Sequence, residues 1–154
     1  MKRILVNEFK VRFPALSRNE GLSRSAAAAF AAQCDPTVEE IAAVKTAVSE
    51  AVTNAIDHGY RDMEGEIVMN MKLYSDNTLY IQIRDRGRGI ADVKQAMEPT
   101  FTTAPADEEH SGLGFTVMES FMDKVSVRSA EGRGTAVTME KRLWGKSKGV
   151  EIDA

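Results

Sequence analysis

Residues 48–59 read VSEAVTNAIDHG, and they close the most regular helical pattern in the chain. Apolar side chains recur every three or four positions along this segment, at Ile41, Val44, Val48, Val52 and Ala55. Such spacing predicts an amphipathic helix with one face against a core. We expect the helix to begin at Asp35-Pro36, with the aspartate as N-cap and the proline in the first helical position. We expect it to end at Gly59.

Glu50 and Asn54 share one face of this helix because they are four residues apart. That face lies roughly opposite the Val48 side of the helix. The amide oxygen of an asparagine is a hard ligand that suits magnesium, and a nearby carboxylate can take a proton or position a nucleophile. The pair therefore indicates a chemical site, while a solvated outer face is the plainer interpretation of two polar residues on a helix.

Strands flank the helical region on both sides. Residues 4–13 alternate and predict a strand, and Ser17 with Glu20 forms an S-x-x-E capping box that predicts a helix over 18–33. Farther along, the pattern predicts a hairpin of strands 66–74 and 78–84, a short helix over 91–97, a long loop over 99–111, a helix over 113–122, and strands over 123–130 and 134–141. This order predicts an α/β sandwich with helices on one face of a mixed, mostly antiparallel sheet.

The composition is that of one slightly acidic globular domain over residues 1–154. The chain is 43% hydrophobic and 28% charged with a net charge of −3, which argues against a disordered tail or a general nucleic-acid binder. Cys34 is the single cysteine, so no internal disulfide can form. The longest apolar run, residues 26–32, is too short to cross a membrane. We expect a cytoplasmic protein that binds neither nucleic acid directly nor a membrane.

Glycines separated by one residue occur three times, as Gly87 and Gly89, Gly112 and Gly114, and Gly132 and Gly134. Glycine lets a main chain approach a ligand closely, and the start of the helix over 113–122 would offer free N–H groups to phosphate. The sequence has neither a P-loop nor a G-x-G-x-x-G fingerprint, so a nucleotide would bind by another route. Asp85 ends a strand before the first pair, where it could bind a base amine or stabilise a turn.

These segments together resemble the GHKL ATPases, whose nucleotide-binding unit is the Bergerat fold. Residues 50–59 look like their N box and residues 85–89 like their D-x-G-x-G box. Residues 112–114 and 132–135 look like the later glycine boxes. Within that family the chain, over about residues 4–148, is most similar to the sporulation anti-sigma factors that are also serine kinases. The segments that carry this closer similarity are residues 17–20, 35–37, 48–56, 101–103 and 114–119.

The resemblance implies two activities that share one site for ATP or ADP and Mg²⁺. The protein would hold a sporulation sigma factor away from RNA polymerase core. It would also transfer the γ-phosphate of ATP to a serine of an anti-anti-sigma factor. Because the family is dimeric, a homodimer is expected. An alternative stays open at this point, namely an anti-sigma module that is gated by nucleotide and has little or no kinase activity.

The resemblance also implies roles for individual residues. Glu50 corresponds to the general base for the serine hydroxyl, Asn54 to the Mg²⁺ ligand, and Asp85 to the residue that binds the adenine amine. Further nucleotide contacts are implied for Gly87, Gly89, Thr103, Ser111, Gly112, Gly114 and Thr135. Residues 99–111 would form the ATP lid. Arg24 matches an arginine of the first helix that contacts the sigma factor.

Two lid positions depart from the family pattern. Relatives often carry a lysine before the lid proline and an arginine before the serine-glycine pair, where this chain has Ala104 and His110. A cation near the γ-phosphate stabilises the transition state, and an ordinary histidine is mostly neutral at pH 7. His110 could supply this cation only when protonated, so two alternatives stay open: weaker kinase activity, or another cation such as Arg86 or Arg88 in its place.

Overall fold

The sheet contains five strands in the order β1-β2-β3-β5-β4, and every pairing between them is antiparallel. A computed structural model describes residues 3–61, 63–98 and 114–145. The strands are β1 (Leu5–Pro14), β2 (Glu66–Tyr74), β3 (Thr78–Asp85), β4 (Lys124–Ala130) and β5 (Gly134–Arg142). The predicted α/β class is confirmed, but the described sheet has no parallel pairing, so the mixed character that we expected is wrong. The β2–β3 and β4–β5 pairs are hairpins, whereas β1 connects to β2 through α1 and α2, and β3 pairs with β5 rather than with β4.

Four α-helices accompany this sheet in the described residues. They are α1 (Arg18–Ala31), α2 (Val38–Asn54), α3 (Val93–Ala96) and α4 (Gly114–Phe121). A 3₁₀ turn (Ala32–Cys34) follows α1, and a π turn (Ala55–Gly59) follows α2. The α2 helix contacts both α1 and α4. The middle helix of the layer is therefore the one that carries Glu50 and Asn54.

The core lies between this helix layer and one face of the sheet. Alternate residues of the central strands are buried, among them Ile67, Met69, Met71, Leu79, Ile81, Ile83, Val137 and Met139. Val44, Val48 and Val52 of α2 are fully buried against them, as the helical spacing predicts. The intervening strand residues, such as Lys72 and Gln82, are partly exposed on the opposite face. The result is the expected two-layer sandwich.

The start of α2 differs from the prediction. Thr37, not Asp35, is the N-cap, and its hydroxyl accepts from the Glu40 main-chain N–H while Glu40 bonds back to the Thr37 N–H. Asp35 instead ends the preceding turn in a left-handed conformation, with φ of 48°. Both residue types make good N-caps, but only Thr37 has a glutamate three positions later that completes a capping box.

The same glutamate also fastens the end of the described chain. Its carboxylate accepts from the main-chain N–H groups of Trp144 at 2.6 Å and Gly145 at 3.1 Å. Burial raises the pKa of Glu40, but the main-chain donors of Thr37, Trp144 and Gly145 outweigh it and hold the pKa below its ordinary value. One carboxylate therefore ties the start of α2 to the segment after β5.

The capping box predicted at Ser17 does not form. Ser17 already has a helical main-chain conformation, and its side chain makes no capping bond. The Glu20 carboxylate accepts instead from the Ser49 hydroxyl of α2 and lies 3.7 Å from the Arg24 guanidinium. A contact between helices thus replaces the local one that the sequence pattern indicated.

A membrane-spanning helix needs about 20 consecutive apolar residues. Across residues 3–61, 63–98 and 114–145, none of the helices combines that length with that apolar character.

Candidate functional site

A cavity of about 750 Å³ opens between α2, α4 and the strand ends of β3 and β5. Its size falls within the roughly 300–1,000 Å³ typical of ligand sites. Six of the residues to which the resemblance gave catalytic or nucleotide-binding roles line it, namely Glu50, Asn54, Asp85, Gly89, Gly114 and Thr135. Residues that are far apart in the sequence therefore meet in one place.

One side of the cavity, the helix wall, consists of Glu50, Asn54 and His58. These residues follow one another at intervals of four along α2 and the π turn. The first residue of α4, Gly114, lies against this wall: a Cβ atom there would be 2.9 Å from the Asn54 amide nitrogen and 3.4 Å from a Glu50 carboxylate oxygen. The missing side chain at 114 leaves both polar groups room to face the cavity.

Gly59 was predicted to end the helix as a glycine cap, and the structure differs in detail. The α-helix ends at Asn54, and Gly59 is the last residue of the π turn, which the Tyr60 N–H closes on the Ala55 carbonyl at 3.0 Å. A Cβ at Gly59 would lie 2.9 Å from an Asp85 carboxylate oxygen. Glycine is therefore required here because Asp85 packs against its main chain.

The opposite side of the cavity, the strand wall, consists of Asp85, Gly89 and Thr135. Asp85 is only 9% exposed, and its Oδ1 accepts from the Gly87 N–H at 2.9 Å. Burial raises the pKa of Asp85, and the main-chain donors of Gly87 and Thr135 offset that rise only in part. A buried carboxylate with such a pKa, in a cavity, is typical of a functional group.

Gly87 and Gly89 allow main chains to cross beside Asp85. A Cβ at Gly87 would lie 1.9 Å from the Gly59 carbonyl oxygen, to which the Arg88 N–H donates at 2.8 Å. Gly89 has a φ of 74°, and a Cβ there would lie 2.1 Å from the Ala130 carbonyl oxygen. Gly87 is absent from the cavity lining, so its contact with a nucleotide stays a prediction.

Thr135 sits at the start of β5, directly opposite Asp85 in the β3–β5 register. It is 9% exposed, and its Oγ1 lies 2.8 Å from the hydroxyl of Ser129 on β4. Ser129 also accepts from the Ile90 N–H at 2.7 Å and contacts the Gly134 carbonyl at 2.9 Å. Ser129 therefore lies behind the strand wall and binds Thr135, and the sequence analysis did not identify it.

Tyr60 is a second residue that the sequence reasoning missed. Its hydroxyl donates to the Glu66 carbonyl and accepts from the Arg86 N–H, both at 2.6 Å, and the residue is 6% exposed. Gly65 gives the ring its space, since a Cβ there would lie 2.2 Å from the ring. The bond to Arg86 ties the residue after the π turn to the turn that follows Asp85.

His58 was also missed as a site residue, although the spacing of four from Asn54 was visible. Its Nδ1 lies 3.4 Å from the Arg61 guanidinium. Of the two arginines proposed as substitute cations, Arg88 lines the cavity and Arg86 does not appear in the lining. Among the described residues, Arg88 is therefore the proposed substitute cation that borders the cavity.

Arg24 lies away from this cavity. It borders a separate, smaller pocket together with Ser17, Glu20, Ser49 and Asp57. The predicted partner-binding arginine is thus on the α1 side of α2, and Thr53 is the one residue in the described part of the chain that borders both spaces.

Several of the predicted site residues lie outside the described part of the chain. They are Thr103, Ser111 and Gly112, together with the lid over residues 99–111 and the two unusual positions, Ala104 and His110.

The oxygen atoms of the helix wall suit a metal ion that binds together with the phosphates of a nucleotide. In the described ranges, no group of three or more acidic, histidine or cysteine side chains could hold a metal alone. Mg²⁺ is usually bound through one or two protein ligands together with substrate phosphates. Asn54 and Glu50 supply oxygens of the kind that such a metal prefers.

Comparison with known proteins gives one family for most of the chain. Residues 13–141 match the family described as "Histidine kinase-like ATPase domain". A protein of Clostridium novyi (strain NT) named "Anti-sigma F factor" is 53% identical over 137 residues, which cover 89% of this chain and 95% of that protein. A Bacillus subtilis (strain 168) protein of the same name is 49% identical over 143 residues, covering 92% and 96%.

Two solved structures share the fold. The RsbU and RsbW domains of a Mycobacterium tuberculosis protein match with a TM-score of 0.66 and 21% identity, covering 90% of this chain and 33% of that one. A histidine kinase domain from Erythrobacter litoralis matches with a TM-score of 0.53 and 20% identity, covering 87% and 64%. At such low identity these likenesses support the architecture alone.

Proposed function

Because the chain belongs to the histidine kinase-like ATPase family and, within it, to the anti-sigma F factors, we propose that it is both an anti-sigma factor and an ATP-dependent protein serine kinase. It binds a sporulation sigma factor and blocks its association with RNA polymerase core. It also phosphorylates a serine of an anti-anti-sigma factor. The observation that carries the proposal is a single cavity lined by Asp85 on one side and by Glu50 with Asn54 on the other.

In this proposal the strand wall binds the base of the nucleotide. The Asp85 carboxylate accepts from the exocyclic amine of adenine, and Thr135 lies beside it as its register partner. A buried carboxylate is a strong acceptor, because charged hydrogen bonds gain strength where water is excluded. The base is thereby held at the end of the cavity where the main chain at Gly87 passes close to that at Gly59.

The helix wall serves the phosphates. Asn54 would hold Mg²⁺ through its amide oxygen, and the metal, when bound, would neutralise charge on the phosphates. The main-chain N–H groups at the start of α4, which begins at Gly114, would bind phosphate oxygens, because free N–H groups at helix N-termini attract anions. Phosphoryl transfer depends mainly on such positioning and charge stabilisation.

Glu50 acts as the general base of the transfer. Its carboxylate takes the proton of the attacking serine hydroxyl as the serine oxygen bonds to the γ-phosphorus. The bond from that phosphorus to the β–γ bridging oxygen breaks, and ADP leaves with the bonding electron pair. The products are phosphoserine, ADP and a protonated Glu50.

Arg24 is the proposed contact to the sigma factor, because an arginine can pair with a carboxylate through two hydrogen bonds. Its position beside a separate pocket leaves it accessible while the larger cavity holds nucleotide. A homodimer, a cytoplasmic location and a single domain over residues 1–154 belong to the same proposal. These three points stay predictions.

Substitution of Glu50 by glutamine tests the kinase assignment. We expect Glu50→Gln to abolish phosphoryl transfer while Mg-ATP still binds, because the amide cannot take the serine proton. The assay mixes the protein with Mg-ATP and a candidate anti-anti-sigma factor and detects phosphoserine by mass spectrometry. Glu39→Gln, an exposed glutamate at the start of α2, is the matched control and should transfer normally. Transfer by Glu50→Gln at the wild-type rate would refute the assignment of the base.

The second candidate is a nucleotide-gated anti-sigma module without significant kinase activity. The alanine and histidine at lid positions 104 and 110 favour it, since neither supplies a permanent cation. Under this alternative, wild-type protein and Glu50→Gln would bind Mg-ATP and a sigma factor equally well, and neither would produce phosphoserine.

A further inference from the structure

The Ser129 hydroxyl has three hydrogen-bond partners beside the strand wall, namely the Ile90 N–H, the Gly134 carbonyl and the Thr135 hydroxyl. We propose that Ser129 is a specificity-determining residue, which orients the Thr135 hydroxyl so that the cavity selects a nucleobase carrying an amine over one carrying a carbonyl. The inference rests on the proposed nucleotide site and adds to it the basis of base selection. Ser129 itself does not line the cavity.

The direction of each bond follows from the chemistry of the partners. The Gly134 carbonyl, 2.9 Å from Ser129 Oγ, can only accept, so it takes the single proton of the serine hydroxyl. The Ile90 N–H, at 2.7 Å, can only donate, so it occupies a lone pair of the same oxygen. The remaining contact, 2.8 Å to Thr135 Oγ1, must then be donated by Thr135.

This assignment fixes what Thr135 can offer to a ligand. A threonine hydroxyl has one proton and two lone pairs, and here the proton is directed at Ser129. Only acceptor capacity is left for the cavity that Thr135 lines. Without Ser129, the hydroxyl could rotate and donate into the cavity instead.

Asp85 reinforces the same preference. It stands opposite Thr135 in the register of β3 and β5, and an ionised carboxylate is an acceptor only. The two polar side chains of the strand wall are therefore both acceptors. An amine at that place donates to them, whereas a carbonyl oxygen would face lone pairs and leave buried groups without partners, which is costly.

The test compares ATP with inosine triphosphate, which carries a carbonyl oxygen where ATP carries the amine. Affinities of both nucleotides are measured by calorimetry for wild-type protein, Ser129→Ala and Ser129→Thr. Ser126→Ala is the matched control, because Ser126 is an exposed serine on the same strand. We expect the wild-type protein to prefer ATP by roughly tenfold or more. Ser129→Ala should lower that preference by about fivefold, and both Ser129→Thr and the control should retain it.

The outcomes separate this inference from the proposed function. If Ser129→Ala weakens both nucleotides by the same factor, Ser129 is merely structural and the inference is overturned. If the wild-type protein binds neither nucleotide, the proposed function fails and the inference fails with it.

A second measurement does not depend on the stability of any variant. In wild-type protein, NMR through-space contacts of the Thr135 hydroxyl proton report its direction. Contacts to the Ser129 Cβ protons are expected, and contacts on the Asp85 side would overturn the inference.

Discussion

The helix wall and the strand wall of the cavity are built by different means. Glu50 and Asn54 take their positions from one helix, so their relation is fixed by local geometry. Asp85 and Thr135 belong to different strands, Ser129 bonds to Thr135 from a third strand, and Tyr60 bonds to the Arg86 N–H next to Asp85. In the proposed function, changes at Glu50 of the helix wall should affect phosphoryl transfer, whereas changes in the strand wall should affect recognition of the base.

The strongest test of this contrast is the replacement of Asp85 by asparagine. The carboxylate accepts main-chain donors from Gly87 and Thr135, and the proposed adenine amine would be a further donor. An amide brings its own N–H₂ group against these donors, so at least one bond is lost. We expect Asp85→Asn to weaken Mg-ATP binding by roughly 10- to 100-fold in calorimetry.

Glu50→Gln is the comparison on the other wall, where we expect binding to persist and transfer to vanish. Equal loss of ATP affinity in the two variants would abolish the distinction between a recognition wall and a chemical wall.

A smaller effect is expected from Tyr60→Phe. The variant keeps the ring but leaves the Arg86 N–H and the Glu66 carbonyl without the hydroxyl that joins them. An unpaired buried group costs about 1–3 kcal/mol, and part of that cost falls on the turn that positions Asp85. We expect a lower melting temperature and an ATP affinity reduced by roughly 3- to 10-fold.

Tyr80→Phe is the control for that experiment, because Tyr80 lies on β3 among the partly exposed residues of the opposite sheet face. It should leave ATP affinity unchanged. If Tyr60→Phe lowers stability without any change in ATP affinity, the hydroxyl does not position the strand wall.

The smallest effect concerns pH. Burial raises the pKa of Asp85 above its reference value of 3.8. At pH values between 3.8 and the raised pKa of the folded state, Asp85 is protonated in the folded chain and ionised in the unfolded chain. This residue therefore makes the free energy of unfolding increase as the pH falls through that range. Adenine binding requires the ionised carboxylate of Asp85, so ATP affinity should decrease as the pH falls through the same range.

The pH dependence is measured as the difference between wild-type protein and Asp85→Asn. That difference removes the contributions of the other acidic groups. If the ATP affinity of the wild-type protein changes with pH in the same way as that of Asp85→Asn, Asp85 is excluded as the titrating acceptor.

The helix wall was predictable because periodicity alone places Glu50 and Asn54 on one face. Asp85 was predictable from its place between a strand and a glycine turn. Ser129 and Tyr60 were not, because Ser129 meets Thr135 only through the pairing of β4 with β5, and the Ile90 and Arg86 N–H groups that they bind lie 39 and 26 residues away in the sequence.

The helix starts show how similar local signals compete. Asp35 and Thr37 are both common N-cap residues, and the T-x-x-E pattern that begins at Thr37 was the decisive one. At Ser17 the S-x-x-E pattern was misleading, because Ser49 and Arg24 engage the Glu20 carboxylate. Local propensity gave way there to a contact between helices.

The bonds of the Glu40 carboxylate affect the order in which the protein can fold during its synthesis on the ribosome. It caps the helix that carries Glu50, yet two of its donors belong to Trp144 and Gly145. The helix begins to be synthesised before most of the sheet, but its first turn acquires its full set of bonds only after residue 145 has left the exit tunnel. A nascent chain halted before that point would carry the helix with its anchoring incomplete.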